Sequence, residues 1–489
     1  MVVNNVKKVI KTGFSVCHFL FWFVALCILG ISYFISKIWG EIDLSQFLFF
    51  TQTNLDKVDT LIIVKGVMVC VMLPLLIASL FAWLWYDVKK AKNKVMLCFL
   101  WYMDLMLLFM AGTCVLQKSL PYFSSEKTDF YQQHYVHLGH LKQKTPRNVI
   151  LIFGESLETR YARYTPENLK IQDDEAIKFD TMTEGYAQRW TQGALFSAFT
   201  GMHIHFLSEY VLQAFSDKIR LWNNNPENNI LMSNTIGKNF DFTLPNINTL
   251  GDIAKEHQYQ TLFVQGGSVQ FSGTKNFLEK HGFGDKDMFE YRDYKDTENF
   301  EKVKDWWGID DKAMFALFKQ KISQLDNNKP FLAVAFTLDL HAGKHPLYTS
   351  KADILRATIN NFNDFIAWYK KQDFYDNTTL IIVGDHKRMG QGVQPGDGIY
   401  NAFFNLPEKL TQNLNLHRTF NQIDMFPTLL EIMGMTLPQH QAGMGTSLFS
   451  TQKTLAEQYP YAAQVDVFTK VDDFYKQLWS NEKIFDDFE

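Results

Sequence analysis

Three short apolar runs in this 489-residue chain each end in side chains that bind metals or move protons. Residues 148–156 (NVILIFGES) end in Glu155. Residues 331–338 (FLAVAFTL) run into Asp339, His341 and then His345-Pro346. Residues 380–383 (LIIV) are followed by Gly384-Asp385-His386. One Glu, one Asp and one or more His arriving from separate strands are suitable ligands for Zn²⁺ or Mn²⁺. A strand-end Glu155 is equally a candidate acid/base group. Asp385 and His386 reach one ion together only from a loop, because neighbouring side chains on a strand diverge. Taken singly, each has a plainer reading: an Asp-His pair as a cap with a surface His, and Glu155 as an acid in the first turn of a following helix. Three such ends in one region weaken the plainer reading.

A nucleophile is sought in the stretch 190–199 (WTQGALFSAF), which has the pattern of a loop entering a helix. Thr191 falls at the helix start, where unpaired backbone N–H groups favour a phosphate. A hydroxyl touching a divalent metal loses its proton more readily and can attack phosphorus. The alternative is an ordinary Thr N-cap.

The runs need elements that bring their ends together. They are four to eight residues long, β-rich and without strict alternation, as expected of parallel strands buried on both faces. A further run, 261–264, precedes Gln265-Gly266-Gly267. Helical patterns at 247–257, 311–325 and 351–371 lie between the runs and predict βα crossovers. The expectation is an α/β domain over 147–489 with a central, mostly parallel sheet flanked by helices. Ligands of such sheets gather beyond the carboxyl ends of the strands.

The first part of the chain is of another kind. Three stretches, 13–35, 66–86 and 95–116, are each close to the ~20 apolar residues that cross a bilayer. They predict a membrane domain over 1–120, followed by a linker at 121–146 with an interfacial helix carrying Tyr122, Phe123, Phe130, Tyr131 and Tyr135. Lys7, Lys8 and Lys11 precede the first span, and Lys89, Lys90, Lys92 and Lys94 fill the loop after the second. Positive residues stay in the cytoplasm, so three crossings leave everything after Leu116 outside it. All five cysteines (Cys17, Cys27, Cys70, Cys98, Cys114) lie in the spans, so the outer part carries no disulfide. Asp104 sits near mid-span, where a carboxylate is either functional or a helix-packing partner. A net charge of -4 gives no basic footprint for nucleic acid.

The quoted motifs resemble the alkaline-phosphatase/sulfatase superfamily. More narrowly they are similar to the membrane-bound phosphoglycerol transferases of bacterial envelopes, the lipoteichoic acid synthase type and the osmoregulated-glucan type. The resemblance covers most of 147–450. It rests on NVILIFGES, Trp190-Thr191 and Gly-Asp385-His386, with 421–430 (NQIDMFPTLL) and Gly434 as a superfamily signature; 244–250 (LPNINTL) and 265–273 (QGGSVQFSG) are close to the glucan type. It implies an alkaline-phosphatase-like catalytic domain outside the cytoplasmic (inner) membrane, on the periplasmic side of a multi-pass anchor. Glu155, Thr191, Asp385 and His386 would surround one Mn²⁺ or Zn²⁺ ion. Thr191 would become phospho-threonine, with His341 as substrate-binding group and proton donor.

The implied reaction is transfer of a phosphoglycerol head group from a phospholipid donor, phosphatidylglycerol, to an envelope glycan. The alternative is phosphoethanolamine transfer from phosphatidylethanolamine to lipopolysaccharide or another envelope glycan. Sulfatase activity fits poorly, because Thr191-Gln-Gly-Ala-Leu lacks the C/S-x-P-x-R pattern. Two departures mark the substrate pocket. Phe271-Ser-Gly273 stands where lipoteichoic acid synthases have Trp-x-Arg, leaving Lys275 as the replacement candidate beside Trp190 and Phe271. His341 and His345 are separated by Ala-Gly-Lys, and either is a candidate for phosphate contact.

Overall fold

The computed structural model describes residues 2–38, 60–123, 126–161, 170–204, 243–270, 273–295, 300–304, 308–341, 345–388, 398–412, 414–480 and 482–485. The chain divides into two compact units, the second of which takes up residues 125–489.

Among its described residues, the first unit contains three helices long and apolar enough to cross a membrane, over Val16–Lys37, Ile63–Ala91 and Lys94–Leu116. The middle one contains a π-helical turn, Met68–Met72. Pro74 explains it: proline lacks an N–H and its ring displaces the carbonyl four residues earlier, and a wider turn absorbs that clash. Asp104 accepts a hydrogen bond from the Trp22 indole N–H at 2.7 Å, with His18 Nε2 3.6 Å away. Within this unit the carboxylate joins two helices, which is the helix-packing reading.

The second unit is built on a six-stranded sheet. In chain order its strands are β1 (Asn148–Gly154), β2 (Gln260–Gln265), β3 (Met288–Phe289), β4 (Phe331–Phe336), β5 (Thr378–Gly384) and β6 (Asn401–Phe404). The spatial order is β3-β2-β4-β1-β5-β6. All neighbours are parallel except β5 and β6, which are antiparallel. Every residue of β1, β4 and β5 is buried, which is why these runs lack alternation.

Successive strand side chains point to opposite faces, and the two cores follow that rule. Val149, Leu151 and Phe153 pack with Leu195, Phe196 and Phe199 of helix α1 (Thr191–Thr200) and with Ile423 and Phe426 of α4 (Gln422–Ile432). Ile150 and Ile152 pack on the other side with Phe315 and Phe318 of α2 (Asp311–Ile322) and Phe362 and Phe365 of α3 (Lys351–Tyr369). The result is a helix–sheet–helix sandwich, the α/β architecture expected.

The segment read as a linker is partly built into this unit. Phe130 and Tyr131 are buried. Asp472 accepts the Tyr131 backbone N–H at 3.0 Å, and Lys127–Thr128 pairs with Val471–Asp472. The aromatic residues that suggested an interfacial helix thus include two that pack inward, against Phe468 and Tyr475. The acidic, aromatic C-terminal stretch provides the partners.

Candidate metal centre and nucleophile

Register brings the carboxylates together. β1 pairs with β5 through Gly154 opposite Gly384, so the next residue of each strand, Glu155 and Asp385, emerges at the same level. A Cβ on Gly384 would lie 2.1 Å from the Leu157 carbonyl oxygen, so only glycine lets the loop after β1 cross here. On the other side β1 pairs with β4 through Phe153 opposite Phe336. The following Thr337 uses its Oγ1 to accept the Glu155 backbone N–H at 2.9 Å. Ser156 then turns with φ 50°, in the left-handed region. That turn aims its N–H at Asp385 Oδ1 (2.8 Å) while its hydroxyl donates to Glu155 Oε1 (2.7 Å).

Glu155, Asp385 and His386 are all buried, and one ligand atom from each lies within 4.8 Å of the others. His386 Nδ1 donates to the Lys387 carbonyl at 2.7 Å, which leaves Nε2 facing the carboxylates. That nitrogen is 3.4 Å from Asp385 Oδ2 and 3.8 Å from Glu155 Oε1. Among the described residues, neither His386 Nε2 nor Asp385 Oδ2 has a hydrogen-bond partner. Orphaned buried polar atoms are costly, and a cation between them removes the cost.

The electrostatics point the same way. Burial and the Glu155 charge push the Asp385 carboxyl up to about 7, against the pull of His386 and the N–H groups of Ser156 and His386. Burial opposes a charge on His386, but Asp385 and Glu155 outweigh it and raise the imidazole to about 9. Burial likewise works against ionised Glu155, yet His386, His341 and the Ser156 and Thr191 hydroxyls hold it below the usual carboxylate range. A field that draws a proton to His386 this strongly draws a divalent cation too, and the oxygen–oxygen–nitrogen donor set suits Zn²⁺ or Mn²⁺. The residues therefore fit a metal.

Thr191 opens helix α1, but it is not the cap. Trp190 holds the N-cap position, and no side chain among the described residues caps the helix. The Thr191 hydroxyl instead donates to Glu155 Oε2 at 3.3 Å. The plain N-cap reading thus gives way to a hydroxyl aimed at Glu155 of the buried trio. Gln192 beside it accepts from the Thr274 hydroxyl at 2.8 Å.

The remaining expected residues divide. His341 is half-buried and its charge reaches Glu155. His345 is committed elsewhere: Nδ1 accepts the Leu347 N–H at 3.0 Å and Nε2 lies 3.3 Å from Asp339 Oδ1. Of the two, His341 is the one left near the carboxylates. Trp190 is turned inward as part of the core, its indole N–H donating to the Ala187 carbonyl at 3.1 Å. That places the Trp190 ring in the core next to Thr191. Lys275 is engaged by Asp285 and by Glu279, the latter at 3.2 Å. These two acids hold its ammonium, so it is a poor stand-in for the missing arginine. Phe271 lies outside the described residues.

Several site residues escaped the sequence reading. Gln422, the first residue of α4, donates from Nε2 to the carbonyls of Gly384 (2.8 Å) and Asp385 (2.9 Å). Buried Glu158 and nearly buried Glu184 accept the N–H groups of Arg388 (2.6 Å) and Lys387 (2.8 Å). The motif NQIDMFPTLL contains Gln422, but nothing in its spacing announces a bond to a loop 37 residues away.

The sulfatase family model matches residues 147–435, well over half of the chain. The chain belongs to the sulfatase family. Among curated proteins this family member is similar to phosphoglycerol transferase I of Salmonella typhi, with 26% identity over 49% of this chain and 33% of that protein. Phosphoglycerol transferase I of Xanthomonas campestris pv. campestris is 23% identical over 65% of this chain and 44% of its own length. The sulfatase-family chain thus spans less than half the length of these relatives. Among solved structures, the integral membrane lipooligosaccharide phosphoethanolamine transferase A of Neisseria meningitidis matches with a TM-score of 0.48 at 11% identity, over 87% of this chain and 85% of that one. A protein of the alkaline phosphatase superfamily from Vibrio parahaemolyticus matches with a TM-score of 0.44 at 20% identity, over 64% and 71%.

Proposed function

We propose that this protein is a metal-dependent phosphoglycerol transferase, moving the head group of a membrane phospholipid to an envelope glycan through a phospho-threonine at Thr191. The observation that carries this reading is the Thr191 hydroxyl directed at Glu155, one member of the buried Glu155–Asp385–His386 trio. The names of the curated relatives favour phosphoglycerol as the group transferred.

Glu155, Asp385 and His386, with Thr191 Oγ, would hold the ion. Bound there, a Zn²⁺ or Mn²⁺ ion lowers the pKa of the hydroxyl and offsets charge on the phosphoryl oxygens. Thr191 Oγ, ionised by release of its proton to solvent, attacks phosphorus, and the bond from phosphorus to the diacylglycerol oxygen breaks; the second step returns Thr191 as the same alkoxide. The departing alkoxide takes its proton from His341, the titratable group near the carboxylates that is not a ligand. In the second step His341 accepts the proton of the acceptor hydroxyl, whose oxygen attacks the phospho-threonine and releases Thr191. The N-terminus of α1 offers backbone N–H groups to the phosphate in both steps. The three apolar helices suit a lipid donor, and the lysine distribution supports a catalytic unit on the periplasmic side.

The test is incubation of the purified full chain with labelled phosphatidylglycerol and, separately, phosphatidylethanolamine. Diacylglycerol release from phosphatidylglycerol supports the reading. Release from phosphatidylethanolamine alone replaces it with phosphoethanolamine transfer, and release from neither removes it.

A further inference from the structure

The loop before Thr191 carries an acid that the mechanism does not use. Glu184 is nearly buried, its side chain 9% exposed. Its Oε1 accepts the Lys387 backbone N–H at 2.8 Å. The carbonyl of that same residue accepts from His386 Nδ1 at 2.7 Å. Glu184 Oε2 is 3.4 Å from Nε of Arg189, whose guanidinium lies over the Tyr461 ring at 4.4 Å. Arg189 stands two residues before Thr191. One carboxylate therefore touches the ligand-bearing loop with one oxygen and the nucleophile loop with the other.

The intervening segment is held at several points. The Gln188 Oε1 accepts the N–H groups of Gly185 (3.0 Å) and Gln422 (3.2 Å), and its Nε2 donates to Asn421 Oδ1 at 3.1 Å. Gln422 in turn holds the carbonyls of Gly384 and Asp385. A displacement of the 184–190 loop is thereby a displacement of the 384–387 loop as well.

Resting on the function proposed above, we infer that Glu184 is a positioning residue: through Lys387 it fixes the imidazole of His386 in the orientation that offers Nε2 to the metal, and through Arg189 it sets the approach of Thr191. Its carboxylate stays outside the ligand trio. It acts as an outer-shell partner, and loss of such partners weakens metal binding about 10- to 100-fold.

The test uses the metal-stripped full chain in detergent and titrates Mn²⁺ by calorimetry, with thermal unfolding measured in parallel. Glu184→Ala removes both contacts and is expected to weaken Mn²⁺ binding at least about tenfold. Glu184→Asp keeps the charge but withdraws it by one methylene, and is expected to weaken binding in the same direction; it serves if the alanine variant does not fold. Glu184→Gln keeps an oxygen acceptor for Lys387 and is expected to stay within about threefold of the parent. Glu155→Ala runs beside them and should lose the ion. Wild-type affinity in the Ala and Asp variants, with Glu155→Ala inactive in binding, overturns the positioning role alone. An equal loss in all three Glu184 variants, tracking a fall in melting temperature, also overturns it, because the role is then only structural. Undiminished binding by Glu155→Ala overturns the metal reading itself, and the positioning role with it.

Discussion

The backbone N–H of Ser156 donates to Oδ1 of Asp385 at 2.8 Å, joining residues 229 positions apart in the sequence. The same residue sends its hydroxyl to Glu155 Oε1. A single left-handed turn thus orients a carboxylate on each of two neighbouring strands. Ser156→Ala keeps the backbone bond and deletes the hydroxyl bond. A hydrogen bond to a charged group contributes about 1.5–3 kcal/mol, so metal affinity should fall at least about tenfold while the fold persists. Metal titration of the stripped protein measures this, and unchanged affinity contradicts the account.

Gly193 sits two residues after Thr191, with the Ala187 carbonyl where a side chain would go. A Cβ there would be 2.1 Å from that oxygen and 2.5 Å from the Trp190 Nε1. Alanine normally stabilises a helix interior relative to glycine by roughly 0.5–1 kcal/mol. Here overlap with backbone dominates, and overpacking costs about 1–3 kcal/mol. Gly193→Ala should therefore lower the melting temperature and cut turnover by more than tenfold, because the loop that aims Thr191 must shift. A stabilised, fully active variant refutes that geometry.

These residues also show where sequence reading stops. The buried strands were legible because a both-faces-buried strand is an unbroken apolar run, and β1, β4 and β5 are such runs. Glu155 and Asp385-His386 were legible because they directly follow those runs. Glu184 was not: it lies in a polar loop with no periodicity, and its partner Lys387 is 203 residues away. The pairing of Lys275 with Asp285 was hidden for a related reason, since it crosses a turn whose path no local pattern encodes. Phe130 and Tyr131 looked interfacial because their cover, Phe468 and Tyr475, comes from the far end of the chain.

Acid should loosen the C-terminal side of the second unit. Arg418 is buried and donates from Nε to Glu457 Oε1 at 2.7 Å. Burial pushes the Glu457 carboxyl up, but the Arg418 hydrogen bonds and charge and the Thr454 and Thr419 N–H groups outweigh it and hold it below its ordinary 4.5. A lowered folded-state pKa gives stability that is present above the unfolded value and is lost as pH falls through the folded one. Unfolding midpoints in denaturant should therefore decline once the pH drops below about 4.5. Glu457→Gln should flatten that decline. An identical acid profile in the variant contradicts the assignment.

The most direct measurement is of Thr191 itself. Full chain is mixed with phosphatidylglycerol in the absence of acceptor, quenched in acid and digested, and the peptide spanning Thr191 is analysed by mass spectrometry. The account predicts a glycerophosphoryl group on Thr191, its amount matching the first equivalent of diacylglycerol released, with Thr191→Ala yielding neither. Continued diacylglycerol release by Thr191→Ala, with no modified peptide in the parent, would contradict it.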